Sequence, residues 1–338
     1  MKNDESLKIV IPMGGLGKRL RPHTWSKPKQ LIGLAGKTVL GHVLDTFSSL
    51  PDSLNVELIN IVGYLGEQIE AYLRENYPQL RCHYVLQENP KGQSHAIYLA
   101  RQYLSGPMLM VFADTLIETD LSFLPDEPAD AVAWVKPVPD PRRFGVAEVG
   151  SNGWVKRLVE KPQEVSNNLA VVGCYYFKRS EDLVAAIQKQ INRKIQLNGE
   201  YYLADAVNIM LQEGTKMRVQ PVETWLDAGT SEALLETNHY LLANGRDNCS
   251  EPEVRDSMVI IPPVFIHPSA QMNHCVIGPY TSVGANCVVK SSVIRNSILE
   301  EEAQVCDVVL ENSLIGRRAQ IQRLPARVNA GDQTTVMM

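Results

Sequence analysis

The sequence predicts an α/β chain in which a doubly wound, mostly parallel sheet over residues 1–244 is followed by a short left-handed parallel β-helix over residues 245–338. Two observations carry this. Through the first two thirds, short apolar runs alternate with stretches of helical period, the pattern of a parallel sheet flanked by helices. Beyond Asn244 that periodicity stops, and β-branched residues recur at a fixed short spacing.

Taken in order, Lys8–Ile11, Glu57–Val62, His83–Leu86 and Met108–Phe112 read as strands. Between them Val39, Leu40, Val43, Leu44 and Phe47 form one helical face, and Ala96, Ile97, Leu99, Ala100 and Leu104 another. From Val132 to Tyr176 several strands interrupted by Pro and Gly follow, an insertion suited to a second ligand, and Glu181–Ile191 has helical period. In the last third Ile277, Val283 and Val289 lie six apart, as do Val293, Leu299, Val305 and then Val309, Ile315, Ile321, each triad starting 16 residues after the one before. An earlier copy, Ile266 to Met272, parallels Ile315 to Ile321. Six-residue spacing turns one apolar side chain inward per face of a triangular coil, so three faces make a rung and the chain has about four rungs.

Composition narrows the function classes. A chain of 338 residues exceeds one ordinary core, and 44% hydrophobic with 21% charged residues is an ordinary globular balance. The formal net charge of -5 argues against a nucleic-acid surface, which needs a clustered cationic excess. No apolar run approaches membrane-spanning length, and Met1–Glu5 lacks the start of a leader, so no membrane role and a cytoplasmic location are expected. Cys82, Cys174, Cys249, Cys275, Cys287 and Cys306 include no CxxC pair, which points to reduced thiols rather than a zinc or disulfide framework.

The densest chemical signal follows the first strand, where Met13-Gly14-Gly15-Leu16-Gly17-Lys18-Arg19-Leu20-Arg21-Pro22 joins backbone freedom to cations. Glycines let amide groups approach phosphates closely. Neither familiar loop fits: a Walker A motif would need Gly at Pro12 and Ser or Thr at Arg19, and no GxGxxG is present. What remains is a Gly-rich loop with Lys18, Arg19, Arg21, Lys27 and Lys29 close by, a positive cluster in an acidic chain that calls for a polyanionic ligand.

With those residues in view the chain resembles the sugar-1-phosphate nucleotidyltransferases, in the long form similar to glucose-1-phosphate thymidylyltransferases and uridylyltransferases that carries a C-terminal left-handed β-helix. Gly14 to Pro22 and Lys27-Pro28-Lys29 match the family signature, and Gln87 to Gly92, Phe112 to Thr115, Glu160-Lys161-Pro162 and Trp225 to Thr230 follow in family order. Lys18 stands where many members have Thr, a change at the triphosphate contacts, and Ala113 where the pattern has Gly. The resemblance implies a nucleoside triphosphate and a sugar-1-phosphate as substrates, dTTP or UTP and glucose-1-phosphate being favoured, with homo-oligomers formed through the β-helix. It implies Arg19 and Lys29 as the catalytic cations, and Gly14, Gly15, Gly17, Lys18, Arg19, Gln87 and Gly92 as the nucleotide site. Gly145, Glu160, Lys161, Gly173 and Trp225 would bind the sugar phosphate.

Phosphoryl chemistry of this kind is positioning plus charge stabilisation. Arg19 offers a planar fork to phosphate oxygens and Lys29 a point charge. Asp114, after an apolar run, should project from the carboxyl end of a strand, where such sheets hold ligands. Paired with Asp227 and phosphate oxygens it suits Mg2+, although Asp227 also stands where a helix cap would. Two other readings stay open: a non-catalytic regulatory or assembly subunit of the same fold, and a bifunctional enzyme whose β-helix transfers acyl groups with His267 or His274 as base.

Overall fold

The computed structural model describes residues 6–324 except 250 and 256, without the side chain of Arg255; the reading of Met1–Glu5 and of the β-helix over residues 325–338 lies outside the described residues. The chain divides into two compact units, one running to Ile32 and from Lys37 to Leu234, the other joining Gly33–Gly36 to the residues from Leu235 onward.

The first unit is built on one mixed sheet. Its strands are β1 (Leu7–Met13), β2 (Val56–Val62), β3 (Arg81–Leu86), β4 (Met108–Val111), β6 (Ala131–Pro137), β7 (Gly145–Val149), β8 (Val155–Glu160), β9 (Leu169–Phe177) and β10 (Met217–Pro221). β5 (Thr115–Glu118) and β11 (Thr224–Asp227) form a separate antiparallel pair. The main path runs β8-β7-β9-β4-β1-β2-β3, with β6 pairing β9 and β10. β4, β1, β2 and β3 are parallel neighbours, and β1 is almost wholly buried, which is why Ile9–Met13 reads as a continuous apolar run instead of an alternating one, with Lys8 ahead of it paired to Glu57.

Helices α1 (Val39–Asp45), α2 (Gly66–Asn76), α3 (Gln93–Leu99), α4 (Ser180–Asn192) and α5 (Leu203–Gln212) accompany the sheet. The side chain of Thr38 caps α1 by accepting from Gly41 N at 3.0 Å. Val10, Ile59, Ile61 and Met110 from the sheet pack with Ala96, Ile97, Leu183, Ile187 and Val207 from the helices. Each such Val, Leu or Ile contributes about 1.5–3 kcal/mol by leaving water. The apolar face expected to run on to Leu104 is real in burial, but α3 stops at Leu99 and a 3-10 turn, Arg101–Tyr103, carries Ala100 and Leu104 into the core. The Val132–Tyr176 strands are integral members of the main sheet, not an appended layer.

The strand order locates the site. From β1 the chain winds outward through β2 and β3, then crosses to β4 on the other side of β1. The sheet therefore changes winding direction between β1 and β4, and a crevice opens beyond their carboxyl ends. The loop after β1 begins at Gly14, and Asp114 lies just past β4.

In the second unit three sheets of short strands form the faces of a parallel β-helix. Val264–Ile266, Thr281–Val283, Ile298–Leu299 and Leu314–Ile315 stack on one face; Gln271–Asn273, Val288–Lys290, Gln304–Cys306 and Gln320–Gln322 stack on a second. The third stacks Met258–Ile260, Cys275–Ile277, Val293–Arg295 and Val309–Glu311, with Glu253–Arg255 added antiparallel. Corners are turned by residues in the left-handed region, among them Asn286, Asn296, Asp307 and Asn312, residue types that tolerate positive φ best after glycine.

One part of the repeat departs from expectation. Ile277, Val283, Val289, Leu299 and Val305 are buried as predicted, but Val309 is 77% exposed and Val293 only half-buried. Ile294 takes the interior position instead, in register with Ile277 below and Leu310 above. Ile294 lies five residues after Val289 and five before Leu299, and Leu310 five after Val305 and five before Ile315, so the six-residue step read from Val293 to Leu299 and from Val309 to Ile315 is one residue too long. In a strand a slip of one residue exchanges inside for outside.

The first face is apolar or small on its outer side too: Ile298 is 1% and Ser282 5% exposed. Within this unit Ala35 N donates to Asn238 Oδ1 at 3.1 Å and to Ser282 Oγ at 3.2 Å, and Ser282 Oγ donates to Asn238 Oδ1 at 2.6 Å. Gly36, at φ 85°, lies so close to the Phe265 ring that a Cβ would sit 2.4 Å from it.

Candidate active site

The glycine loop is shaped by what touches it. A Cβ on Gly14 would fall 2.3 Å from Gln87 Oε1, and one on Gly63 would fall 2.6 Å from the Gly14 carbonyl oxygen, so the loop leaves β1 pressed between two neighbours. Gln87 is buried at the end of β3, its backbone N donating to Val62 O at 2.7 Å and its Nε2 standing 3.5 Å from His95 Nδ1. Gly17 turns at φ 59°, and Thr24 Oγ1 donates to its carbonyl at 2.9 Å. Gly15 and Lys18 are exposed on the same loop. Gly92, at φ 94°, is packed so tightly on the Tyr201 backbone that a Cβ would meet its carbonyl oxygen at 2.5 Å.

Asp114 and Asp227 come together through the β5–β11 pair. Asp227 lies opposite Thr115, and Ala228 N donates to the Asp114 carbonyl at 3.0 Å, so the two carboxylates leave neighbouring chain segments. Lys29 Nζ donates to Asp114 Oδ2 at 2.5 Å. Gly229 N donates to Asp227 Oδ1 at 2.8 Å. A Cβ on Gly229 would lie 2.8 Å from Arg19 Nη2 and 2.9 Å from that same Asp227 oxygen, which brings Arg19 into the group.

The electrostatics of the two aspartates differ. Burial pushes the Asp114 carboxyl up, but the Lys29 charge and hydrogen bond, with Arg19 behind them, outweigh it and hold it below the usual range. Asp227 is held above that range, first by burial and then by the charge of Asp114; the Gly229 amide, Arg19 and Lys29 offset this only in part.

A cavity of about 320 Å³ opens beside them, lined by Arg19, Asp114 and Asp227 at one end. Glu160, Lys161, Gly145, Gly173 and Trp225 line it as well. Gly173 sits at a bulge in β9, at φ 83°, where its carbonyl accepts from Phe112 N at 2.9 Å and a Cβ would strike the Phe112 ring at 2.3 Å. Gly145 brings the backbone within 3.2 Å, measured from an ideal Cβ, of Glu160 Oε2. Burial pushes Glu160 up despite Lys161, while Lys161 donates to Tyr202 Oη at 2.8 Å and is held charged by it. Trp225 packs edge-on against Phe144, with centroids 4.8 Å apart.

The structure therefore gathers eight of the proposed residues around one cavity, Arg19, Asp114, Asp227, Gly145, Glu160, Lys161, Gly173 and Trp225, with Lys29 joined through Asp114. Gly14 and Gln87 touch each other, while Gly92 belongs to a separate contact with Tyr201. Sequence reasoning gave no role to Gln93, Arg143, Glu200 and Tyr202, which also line the cavity. No spacing signal marks them, since they come from separate segments of the chain, Gln93 from the start of α3 and the others from connecting segments.

Comparison with known proteins identifies the family. The profile of the family described as Nucleotidyl transferase matches residues 8–244, and that described as GMPPB C-terminal domain matches residues 260–336. A glucose-1-phosphate thymidylyltransferase of Streptomyces griseus is 30% identical over 345 residues, covering 94% of each chain. The low-salt glycan biosynthesis nucleotidyltransferase Agl11 of Haloferax volcanii is 30% identical over 343 residues, covering 93% of this chain and 94% of its own. Among solved structures, the nucleoside-diphosphate-sugar pyrophosphorylase from Vibrio cholerae superposes with a TM-score of 0.59 at 20% identity, over 68% of this chain and 98% of that one, a likeness of fold. The chain belongs to the nucleotidyl transferase family, among its sugar-1-phosphate members.

Proposed function

We propose that this enzyme transfers the nucleotidyl group of dTTP or UTP to glucose-1-phosphate, giving the NDP-sugar and pyrophosphate. The observation that carries the reading is the meeting of Arg19, Lys29, Asp114 and Asp227 at the winding switch of the sheet, beside a cavity holding Glu160 and Lys161. An oxygen of the sugar phosphate forms the new bond to the α-phosphorus as the bond to the bridging oxygen breaks, and pyrophosphate leaves with that electron pair. Gly14, Gly15, Gly17 and Lys18 cradle the triphosphate with amides and one cation. Arg19 and Lys29 draw in the oxygens on which charge builds. Gln87, with both an amide donor and an acceptor, suits the edge of a pyrimidine base near Gly14 and Gly92. Gly145, Gly173 and Trp225 shape the sugar pocket, Glu160 accepts from sugar hydroxyls, and Lys161 neutralises the sugar phosphate. The thymidylyltransferase relative supports the choice of base and sugar.

The residues fit a divalent cation. Burial first and the neighbouring Asp114 charge second raise the Asp227 carboxyl, a cost that a cation held between the two would relieve. Two carboxylates leave the remaining coordination of Mg2+ to phosphate oxygens and water, and among the described residues no cluster of three or more His, Cys, Asp or Glu makes a closed cage. When bound, Mg2+ supplies charge neutralisation at the α-phosphate. A pyrophosphate-release assay over the common nucleotides and a panel of sugar phosphates, with Mg2+, tests the reading. Release with dTTP or UTP and glucose-1-phosphate is expected, and silence across the whole panel would overturn it in favour of a non-catalytic subunit.

A homo-oligomer formed through the β-helix also belongs to this proposal. The third face presents Val254, Val259, Val276, Val293 and Val309 in register along its outer side, with Val254 76% exposed. The second face turns Gln271, Gln304 and Gln320 outward instead. Arg295 and Glu311 stand on neighbouring strands beside the valines, so a second copy related by a two-fold axis could pair each with the other's opposite charge. Light scattering should give a dimer or higher assembly that Val276→Lys dissociates; a monomer at micromolar concentration for the unaltered chain would end this part. Among the described residues no helix is long and apolar enough to cross a membrane, and the cytoplasm, where nucleotides and sugar phosphates occur together, is the proposed location.

A further inference from the structure

Gln93 opens α3 and faces the same cavity as Glu160, Lys161 and Trp225. Its Oε1 is buried and has no hydrogen-bond partner in the protein. A buried amide oxygen left without a donor costs about 1–3 kcal/mol, so an unsatisfied amide on a residue that lines a cavity marks a place where a small turn of the side chain lets a ligand supply the missing bond.

The backbone on either side of Gln93 is fixed. Tyr201 N donates to Lys91 O at 2.8 Å, Ser94 N donates to Tyr201 O at 3.1 Å, and the wholly buried Ser94 donates through Oγ to Tyr202 O at 3.1 Å. Gly92 is the only residue type that fits between them, given its φ of 94° and the 2.5 Å approach to the Tyr201 carbonyl. The same Tyr202 receives the Lys161 ammonium on its hydroxyl, which ties the Gln93 segment to the arm assigned to the sugar phosphate. Held in this way, the backbone keeps the root of the Gln93 side chain at the cavity wall.

Resting on the transferase reading above, we propose that Gln93 is a specificity-determining residue for the sugar, its side-chain amide hydrogen-bonding one ring hydroxyl of the bound sugar-1-phosphate. A hydroxyl both donates and accepts, so it satisfies the amide in either orientation of its O and N atoms. Sites that read a hydroxyl in this way reject analogues that lack it, because the protein's own polar group is then left unpaired.

The test compares the unaltered enzyme with Gln93→Leu and Gln93→Glu on glucose-1-phosphate and its 2-, 3-, 4- and 6-deoxy analogues. The unaltered enzyme should lose about tenfold or more in kcat/KM on one deoxy analogue beyond its loss on the others. Gln93→Leu should raise KM for glucose-1-phosphate, leave KM for the nucleotide unchanged, and abolish that particular discrimination. Gln93→Glu, which keeps an acceptor, should retain part of it. An identical deoxy profile in the unaltered and Gln93→Leu enzymes would overturn the assignment, as would a change confined to the nucleotide KM. If the unaltered chain converts no sugar phosphate at all, the transferase reading itself fails and this inference falls with it.

Discussion

Asp114→Asn and Asp227→Asn should each lower nucleotidyl transfer at least about a hundredfold, while moving thermal stability in opposite directions. On the proposed reading both carboxylates hold the divalent cation at the α-phosphate, so loss of either removes a charge the reaction needs. Their contributions to the fold differ in sign. Asp114 is the partner of Lys29 at 2.5 Å, with Arg19 also attracted to it, and its carboxyl is held low. A group with a lowered folded pKa contributes stability above its unfolded value and loses it as pH falls through the folded one. At neutral pH the asparagine variant therefore forfeits that contribution and leaves Lys29 half-buried without its charge partner. For a half-buried pair this is worth ~1–2 kcal/mol, or a fall of about 2–6 °C in the melting of the first unit.

Asp227 behaves in the opposite way. Burial and Asp114 disfavour its charged form, so the folded chain holds a proton there that the unfolded chain has already released. Stability falls as pH rises between the unfolded and the raised folded pKa and remains lower above both. Asp227→Asn removes that penalty while its amide oxygen can still accept from Gly229 N, and the melting temperature at neutral pH should rise slightly. Below the usual carboxylate range the gain should vanish, because the native aspartate is then neutral as well. Calorimetry at pH 7.5 and at pH 3, beside a turnover assay, checks both halves. Equal falls in melting temperature would show that the two sites are not electrically distinct, and full turnover in either variant would remove that residue from the chemistry.

How much of this was legible in the sequence depends on the range of the forces involved. Burial on both faces writes a mostly apolar run, so β1 and β4 could be read from Lys8–Ile11 and Met108–Phe112 alone, and with them the crevice beyond their ends. The six-residue repeat was legible because every rung meets the same packing problem. Its failure at Val293 and Val309 arises on either side of the third face, where five residues suffice and nothing in the local pattern marks the change. The four charged residues of the centre stood out by their segments, yet their meeting depends on the β5–β11 pair, which joins Thr115–Glu118 to Thr224–Asp227 across the whole insertion. Gln93, Glu200 and Tyr202 were invisible for the same reason: what defines them is the cavity wall they share. Gly33–Gly36 likewise looks like an ordinary turn, and its place in the second unit is fixed by Asn238 and Ser282, some two hundred residues away.

Arg19→Ala should reduce kcat about a hundredfold or more, the ~3 kcal/mol typical of one lost donor to developing negative charge. Arg19→Lys should recover only part of this, since an ammonium keeps the charge but not the planar fork that can span two phosphate oxygens. A third variant tests the arrangement without touching a charged residue. In Gly229→Ala the new methyl would lie 2.8 Å from Arg19 Nη2 and 2.9 Å from Asp227 Oδ1, closer than real contacts allow, so both groups must move. Each is the end of a flexible side chain, so the fold can absorb the change with little effect on melting temperature. The reaction cannot, because a displacement of about an ångström at the reacting centre can cost up to a hundredfold. A loss of about tenfold or more in kcat, with the fold intact by circular dichroism, is expected. Full activity in Gly229→Ala would mean that Arg19 and Asp227 do their work from positions other than those they occupy here, and the charge centre at the end of β1 would have to be redrawn.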